Sequence, residues 1–427
     1  MGVILLRIFG FAAVMAVALR TLPRESIGLW YGMLSLTALA ACIELGFSGT
    51  IGRIASYYYA GATSVPSLGL SGIEGPMTGP NVGALYGIVT EARRVYRLLA
   101  VLNLALATAA ACVWVWLLPS SQRLPTQSLV ALALLVGGSA VNLSAMFWPS
   151  VLQGIHEVRR CNMYVALGFL AGYVTGLAGL WLGAGLVALA AGQIAQSLVG
   201  RWFSRRYVLG WLDAQPRAPS VQASWRSFWP MTWRAGLAQG ASQLVLPSTP
   251  LLITSFSLAE AGSYGLSLQA ALVLHTLTAS WISVKWPLLS SLRAVRKFAA
   301  VRRLVAERLV LTMLSFVACA SVTPWLAPIV LAHIGSQTPF VTTQIWAMLA
   351  IATGIDLFIG AHAALIQTGN RVSHLPAFVI TALVNLCAGS LLATSYGTAG
   401  VLVSAIVSPL LINAWWLPRE AWRQLAD

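Results

Sequence analysis

The chain has 427 residues, of which 58% are hydrophobic and 9% are charged, and its mean hydropathy is +0.79. This composition excludes a water-soluble globular protein of this length and predicts an all-α polytopic membrane protein. The formal net charge of +15 is explained by topology, because cytoplasmic loops carry excess Lys and Arg; no nucleic-acid partner is expected. The five cysteines form no CxxC pair, and no metal or organic cofactor is predicted.

Twelve apolar segments are long enough to cross a bilayer, which needs about 20 residues per helix. They are predicted at residues 3–22, 27–60, 95–118, 127–149, 162–181, 184–203, 228–254, 262–290, 306–331, 341–366, 373–394 and 398–418. The first segment has Arg7 inside its apolar run and lacks a small-residue cleavage site, so we expect a membrane helix rather than a signal peptide. The second and eighth segments exceed the bilayer thickness and should tilt, kink or project beyond it.

The centre of the chain is predicted to be a linker between two halves. Residues 201–227 are basic and contain Pro216 and Pro219, a composition typical of a connection rather than of a membrane helix. The sequence therefore predicts an N-terminal six-helix bundle at 1–207, a cytoplasmic linker at 208–227 and a C-terminal six-helix bundle at 228–427.

The basic residues predict the orientation in the membrane. With the N-terminus inside, nineteen Lys and Arg fall on the cytoplasmic side and only Arg20, Arg24 and Arg123 fall outside. The central cytoplasmic loop receives Arg201, Arg205, Arg206, Arg217 and Arg226 in this assignment. Because positive residues concentrate in cytoplasmic loops, both termini are expected in the cytoplasm and the protein in a bacterial inner membrane.

The two halves show a weak internal repeat. Gly183-Ala-Gly-Leu before the sixth segment is similar to Gly397-Thr-Ala-Gly-Val before the twelfth, at an offset of 214. The openings of the second and eighth segments share a Tyr-Gly pair, which places Tyr31 opposite Tyr264. Six helices per half is an even number, so the halves should have the same orientation and be related by a pseudo-two-fold axis along the membrane normal.

Four cations fall inside the hydrophobic segments and repeat between the halves: Arg7, Arg53, Arg234 and Lys285. A charge near the bilayer centre costs about 3 kcal/mol or more, which favours a functional reason for keeping it there. One interpretation is a cationic cavity that binds an anionic substrate, since the planar guanidinium can donate two hydrogen bonds to a phosphate. The alternative is that these side chains extend to the interface and place their charge in water.

Glu44 and Asp356 are acids within predicted spans and are candidates for coupling transport to a proton or Na⁺ gradient. A structural hydrogen bond is the alternative for both. Asp356 corresponds to Asn142 by the offset of 214, so the halves differ at this position. His275 lies near the repeat position of Glu44, where a polar contact between helices is a simpler interpretation than a proton relay.

No P-loop, GxSxG or HExxH motif is present, so neither an ATPase nor another enzyme is expected.

Two stretches of the second segment resemble a known family. Residues 29–36 (Leu-Trp-Tyr-Gly-Met-Leu-Ser-Leu), residues 44–48 (Glu-Leu-Gly-Phe-Ser) and the following Arg53 are similar to bacterial O-antigen and polysaccharide flippases. These belong to the multidrug/oligosaccharidyl-lipid/polysaccharide exporter superfamily and have a MATE-like fold. The Gln153-Gly154 and Gln367-Thr-Gly-Asn-Arg371 turns are similar to theirs. The resemblance covers essentially the whole chain.

The resemblance implies two six-helix bundles around a central cavity that work by alternating access. It implies an undecaprenyl-pyrophosphate-linked oligosaccharide as substrate, with polysaccharide polymerase and assembly proteins as further partners in the bilayer. It also implies that Arg7, Arg53 and Arg234 hold the diphosphate and that Glu44 occupies a position where the family has an acid. Lys285 departs from this pattern, because an ammonium cannot form a bidentate contact.

Two rivals remain at this point. A cation-coupled multidrug exporter of the same fold would need acids in its cavity, whereas the four cations outnumber Glu44 and Asp356. A polysaccharide polymerase or ligase would need sizeable external loops, which the predicted spans do not leave.

Overall fold

A computed structural model describes residues 2–44, 46–63, 79–118, 124–215, 229–294, 297–367 and 373–425. The helices before the centre of the chain are α1 (Gly2–Thr21), α2 (Arg24–Ala41), α3 (Phe47–Tyr59), α4 (Val82–Leu117), α5 (Thr126–Ser144), α6 (Phe147–Gly154), α7 (Val158–Trp181) and α8 (Gly185–Asp213). Those after it are α9 (Trp229–Gln243), α10 (Thr249–Thr254), α11 (Leu258–Ser283), α12 (Trp286–Ala294), α13 (Phe298–Ile334), α14 (Thr343–Gln367), α15 (Leu375–Leu411) and α16 (Asn413–Arg423).

Ten of the twelve predicted spans overlap one helix or two helices joined by a short break, and the last two share α15. Within the described residues, seven helical stretches are long and apolar enough by themselves to cross a membrane. The predicted fold class, an all-α polytopic membrane protein with about twelve spans, is confirmed. Residues 216–228 of the expected linker lie outside the described residues, and α8 extends to Asp213, so the linker at 208–227 stays a prediction.

The second span is broken, as its length suggested. Helix α2 ends at Ala41, a 3₁₀ turn covers Cys42–Glu44, and α3 begins at Phe47. Gly46 lies between them with φ 67°, a left-handed conformation that costs a residue with a Cβ about 1–2 kcal/mol. The eighth span is similarly divided, and Lys285 lies in the break between α11 and α12.

The repeated glycines both have a positive φ. Gly183 has φ 76° and Gly397 has φ 54°, and both lie in the turn before the last span of their half. Helix α15 has a non-helical kink at Gly397, so it covers the span predicted at 373–394 and the first part of the span predicted at 398–418, which continues into α16. The local conformation agrees with the repeat found in the sequence.

Two compact units divide the chain. Unit 1 contains Met1–Thr21 and Leu36–Gln239, and unit 2 contains Leu22–Ser35 and Gly240–Asp427. The start of α2 belongs to unit 2 because its glycines allow close packing on α11. A Cβ on Gly28 would lie 1.8 Å from the Leu258 carbonyl oxygen, and Arg24 Nε donates to the Ala259 carbonyl at 2.9 Å.

Each unit has its own apolar core. In unit 1, α3, α4 and α6 pack around Tyr96, Phe147 and Trp148, and the Tyr96 and Phe147 ring centroids are 5.3 Å apart. In unit 2, α11, α13 and α14 pack around Phe316 and Trp346. These cores fix the helices that carry the polar residues described next.

Candidate functional site

The structure gives the four predicted substrate-binding cations different settings. Arg7 on α1 and Arg53 on α3 are exposed, and the Arg7 carbonyl accepts a hydrogen bond from Tyr173 at 2.9 Å. Arg234 on α9 is also exposed, with its guanidinium 5.3 Å from the centroid of the Trp233 ring. Lys285 is half-buried. All four are accessible to a ligand or to headgroups, and their role as a substrate site stays a prediction.

Glu44 is buried inside unit 1, where it is 7% exposed. Its Oε1 accepts hydrogen bonds from the Tyr96 hydroxyl at 2.5 Å and from the Ser48 backbone N–H at 2.6 Å. The second bond satisfies an amide that the first turn of α3 leaves without an intrahelical partner. Glu44 therefore connects the break in the second span to α4, which agrees with the structural alternative for this acid.

Arg201 is a further member of this cluster that the sequence analysis missed. Placing it in the central cytoplasmic loop was wrong, because α8 continues to Asp213 and carries Arg201 inside the helix. Its Nη1 donates to the Asn142 backbone oxygen, and its charge acts on Glu44 and Tyr96. Arg205 and Arg206 follow closely in the sequence and end the apolar run, so Arg201 was grouped with them as a loop residue. The small residues Gly200 and Ser204 on the buried face of α8 are the signal that could have revealed it.

In unit 2 the structure brings His275 and Asp356 together. His275 Nε2 on α11 lies 3.6 Å from Asp356 Oδ2 on α14. The His275 side chain is 27% exposed and the Asp356 side chain 45% exposed, so both remain accessible. The sequence analysis singled out each residue but did not pair them, since 81 positions separate them in the chain.

A small cavity adjoins Asp356. Its volume is about 20 Å³, enough for one water molecule. Thr381 and Asn413 line it with Asp356, and both are buried, at 1% and 3% exposure. The oxygen atoms Thr381 Oγ1 and Asn413 Oδ1 have no hydrogen-bond partner within the described part of the chain. Buried polar atoms are normally satisfied, so these two indicate a place for water or an ion.

The fold is similar to that of solved membrane transporters. An inward-facing multidrug resistance MATE family transporter of the MOP superfamily matches with a TM-score of 0.66 at 13% identity, covering 98% of this chain and 95% of that chain. A MOP superfamily transporter from Pyrococcus furiosus, described as having a binding pocket of reverse polarity, matches at 0.62 and 14%, covering 100% and 95%. The lipid II flippase MurJ in an inward closed conformation matches at 0.58 and 13%, covering 99% and 89%.

No protein-family model matches the chain, and no curated protein does. At 13–14% identity these likenesses show the fold: two six-helix bundles of the MATE-like kind. Among the described residues, no group of three or more His, Cys, Asp and Glu side chains is arranged to hold a metal ion.

Proposed function

We propose that this protein moves an undecaprenyl-pyrophosphate-linked oligosaccharide, a repeat unit of O-antigen or exopolysaccharide, from the cytoplasmic to the periplasmic leaflet by alternating access. One observation carries the proposal: both candidate acids already have partners, while the four cations stay accessible. Glu44 accepts from Tyr96 and Ser48, and Asp356 lies beside His275. Accessible positive charge beside engaged negative charge favours an anionic substrate.

The diphosphate is the group that the cations would bind. Arg7, Arg53 and Arg234 each carry a planar guanidinium that can donate two parallel hydrogen bonds to phosphate oxygens. Lys285 would contribute a point charge without that geometry. The lipid tail would stay in the bilayer while one bundle rocks against the other.

The comparisons add support of two kinds. One similar structure is a lipid II flippase, so this fold carries a lipid-linked substrate in at least that protein. Another is described as a MOP transporter whose binding pocket has reverse polarity, so the charge of the cavity varies on this fold. We place the protein in the bacterial inner membrane with both termini in the cytoplasm, together with polysaccharide polymerase and assembly proteins.

The second candidate is a cation-coupled multidrug exporter, which the similarity to a multidrug resistance MATE transporter favours. Such an exporter needs free carboxylates for a cationic drug. Deleting the gene distinguishes the two: the flippase predicts loss of the surface glycan with unchanged drug susceptibility, and the exporter predicts the reverse.

A reconstituted system tests the assignment of the cations. Proteoliposomes would contain a fluorescent undecaprenyl-diphosphate oligosaccharide, and dithionite quenching would report its leaflet. A charge-assisted hydrogen bond contributes about 1.5–3 kcal/mol, so Arg53→Ala and Arg234→Ala should each slow flipping by roughly tenfold or more.

The matched control is Arg97→Ala, since Arg97 is an exposed arginine on α4 outside the predicted set. Flipping by the Arg53→Ala/Arg234→Ala double variant at the wild-type rate would refute the role of the cations. Absence of flipping by the wild-type protein, with export of a cationic dye instead, would refute the flippase.

A further inference from the structure

The two units contain comparable acid–base pairs in which the signs are exchanged. In unit 1 the second span supplies the acid, Glu44, and the charge of Arg201 acts on it from beside Asn142. In unit 2 the eighth span supplies the base, His275, and its partner is Asp356, which stands at the repeat position of Asn142. The repeat therefore places an ionisable pair in each half, but not the same pair.

This exchange of signs between the units determines which pair can change its net charge with pH. An arginine keeps its proton at every physiological pH, so the charge of Arg201 is fixed. A histidine gains or loses a proton between about pH 5 and pH 8. The positive charge in unit 1 is consequently constant, whereas the pair in unit 2 can change its charge.

We propose that the His275–Asp356 pair is the site at which a proton couples to transport. The inference deepens the proposed function, because it names the coupling ion and its carrier. A proton from water binds the imidazole and takes the pair from a net charge of −1 to neutral; returning that proton to water restores the net charge of −1. Glu44, the other coupling candidate, is then a structural residue.

Access to water supports this assignment. Asp356 and His275 both keep part of their surface exposed, and the adjoining cavity can hold one water molecule. Thr381 Oγ1 and Asn413 Oδ1 line that cavity without partners among the described residues. A water bound to these two atoms and the carboxylate would give a proton a path to the pair.

Other ionisable groups lie on the helices packed against α11 and α14, and His275 is the one whose charge acts on Asp356 within the described chain. Ten of those in the described part of the chain have partners of their own: Arg24 with Ala259, Glu260 with Thr398, Tyr264 with Thr249, Arg293 with Leu365, Arg303 with Glu307, His333 with Ile329, His362 with Phe358, and Glu420 with Arg423. Further ionisable groups are Glu25 and Tyr31 on α2, Arg302, Arg308 and Cys319 on α13, Cys387 and Tyr396 on α15, and Arg419 on α16. The arginines contribute a constant field, because they do not titrate.

The first experiment needs no substrate. Purified protein in lipid nanodiscs would be analysed by hydrogen–deuterium exchange at about pH 6 and about pH 8, corrected for the intrinsic pH dependence of exchange. We expect protection of α11 and α14 to change with pH in the wild type and to stop changing in His275→Gln and in Asp356→Asn. His333→Gln is the matched control, since His333 is an exposed histidine of the same unit whose ring nitrogen hydrogen-bonds to the Ile329 carbonyl of its own helix.

A comparison with and without sodium identifies the coupling ion. The same measurement in sodium chloride and in choline chloride should give equal protection. Sodium-dependent protection that needs Asp356 and persists in His275→Gln would overturn the proton assignment in favour of a sodium site. A pH response retained by both His275→Gln and Asp356→Asn would overturn it as well.

The second experiment links the pair to transport. A coupled proton in a gradient of about one pH unit shifts the leaflet distribution of the fluorescent lipid-diphosphate probe by up to about tenfold. We expect that shift in the wild type and His333→Gln, and its loss in His275→Gln and Asp356→Asn. If the wild type does not move the probe, the proposed substrate is wrong. The hydrogen–deuterium exchange measurement still tests the proton site independently of that substrate.

Discussion

Removing one hydroxyl tests the buried cluster around Glu44. Tyr96 is 0% exposed, and its hydroxyl donates to Glu44 Oε1 at 2.5 Å. Tyr96→Phe keeps the ring packed on Phe147 but takes a donor from a buried carboxylate. A hydrogen bond to a charged group contributes about 1.5–3 kcal/mol, so we expect the free energy of unfolding to fall by about 2 kcal/mol.

The assay is thermal unfolding in detergent, followed by tryptophan fluorescence. For a unit of roughly 200 residues, a loss of 2 kcal/mol lowers Tm by about 4–8 °C. The matched control is Tyr86→Phe, which removes a hydroxyl from an exposed tyrosine of the same helix and should change stability by less than about 0.5 kcal/mol.

A double-mutant cycle makes the result specific. Glu44→Gln and Tyr96→Phe, made singly and together, should show a coupling energy of about 1–2 kcal/mol. A coupling energy near zero, or an equal Tm for Tyr96→Phe and Tyr86→Phe, would refute the reasoning that this bond connects the broken second span to α4.

Three further perturbations follow from the same structure. Gly46→Ala forces a Cβ into the left-handed break between α2 and α3 and should cost about 1–2 kcal/mol in the same unfolding assay; an unchanged Tm would contradict the bent second span. Gly28→Val places a side chain against the Leu258 carbonyl and should lower stability by about 3 kcal/mol, whereas Gly49→Ala, where a Cβ meets nothing within 4 Å, should be tolerated. Thr381→Val removes a hydroxyl that has no partner in the described residues; stability should change by less than about 0.5 kcal/mol while the pH response of hydrogen exchange in α14 weakens, and a large loss of stability would show that Oγ1 is bonded.

Local patterns in the sequence determined the helices but not the contacts between them. Spans can be predicted because about 20 apolar residues are a local requirement, and the length of 27–60 correctly indicated an irregular second span. Arg201 was misplaced because counting basic residues detects the average side of a loop, not the one arginine that turns inward. Pairing His275 with Asp356 needed the packing of α11 on α14, which no local periodicity encodes.

The domain boundary illustrates the same limit. Residues 22–35 belong by sequence to the first half, yet their contacts place them in unit 2. Two small residues, Gly28 and Gly262, permit that close approach. Nothing in the sequence distinguishes these two glycines from the others, because their role depends on where α2 packs against α11.

The positive φ shared by Gly183 and Gly397 has a consequence for how the two halves can differ. A bend in the main chain sets where every following side chain is placed, so each half needs its turn to position its last span. A charged side chain can be replaced without moving the main chain around it. The turn can therefore stay alike in both halves while the charged residues differ, which leaves one half with a structural contact and the other with the proposed proton site.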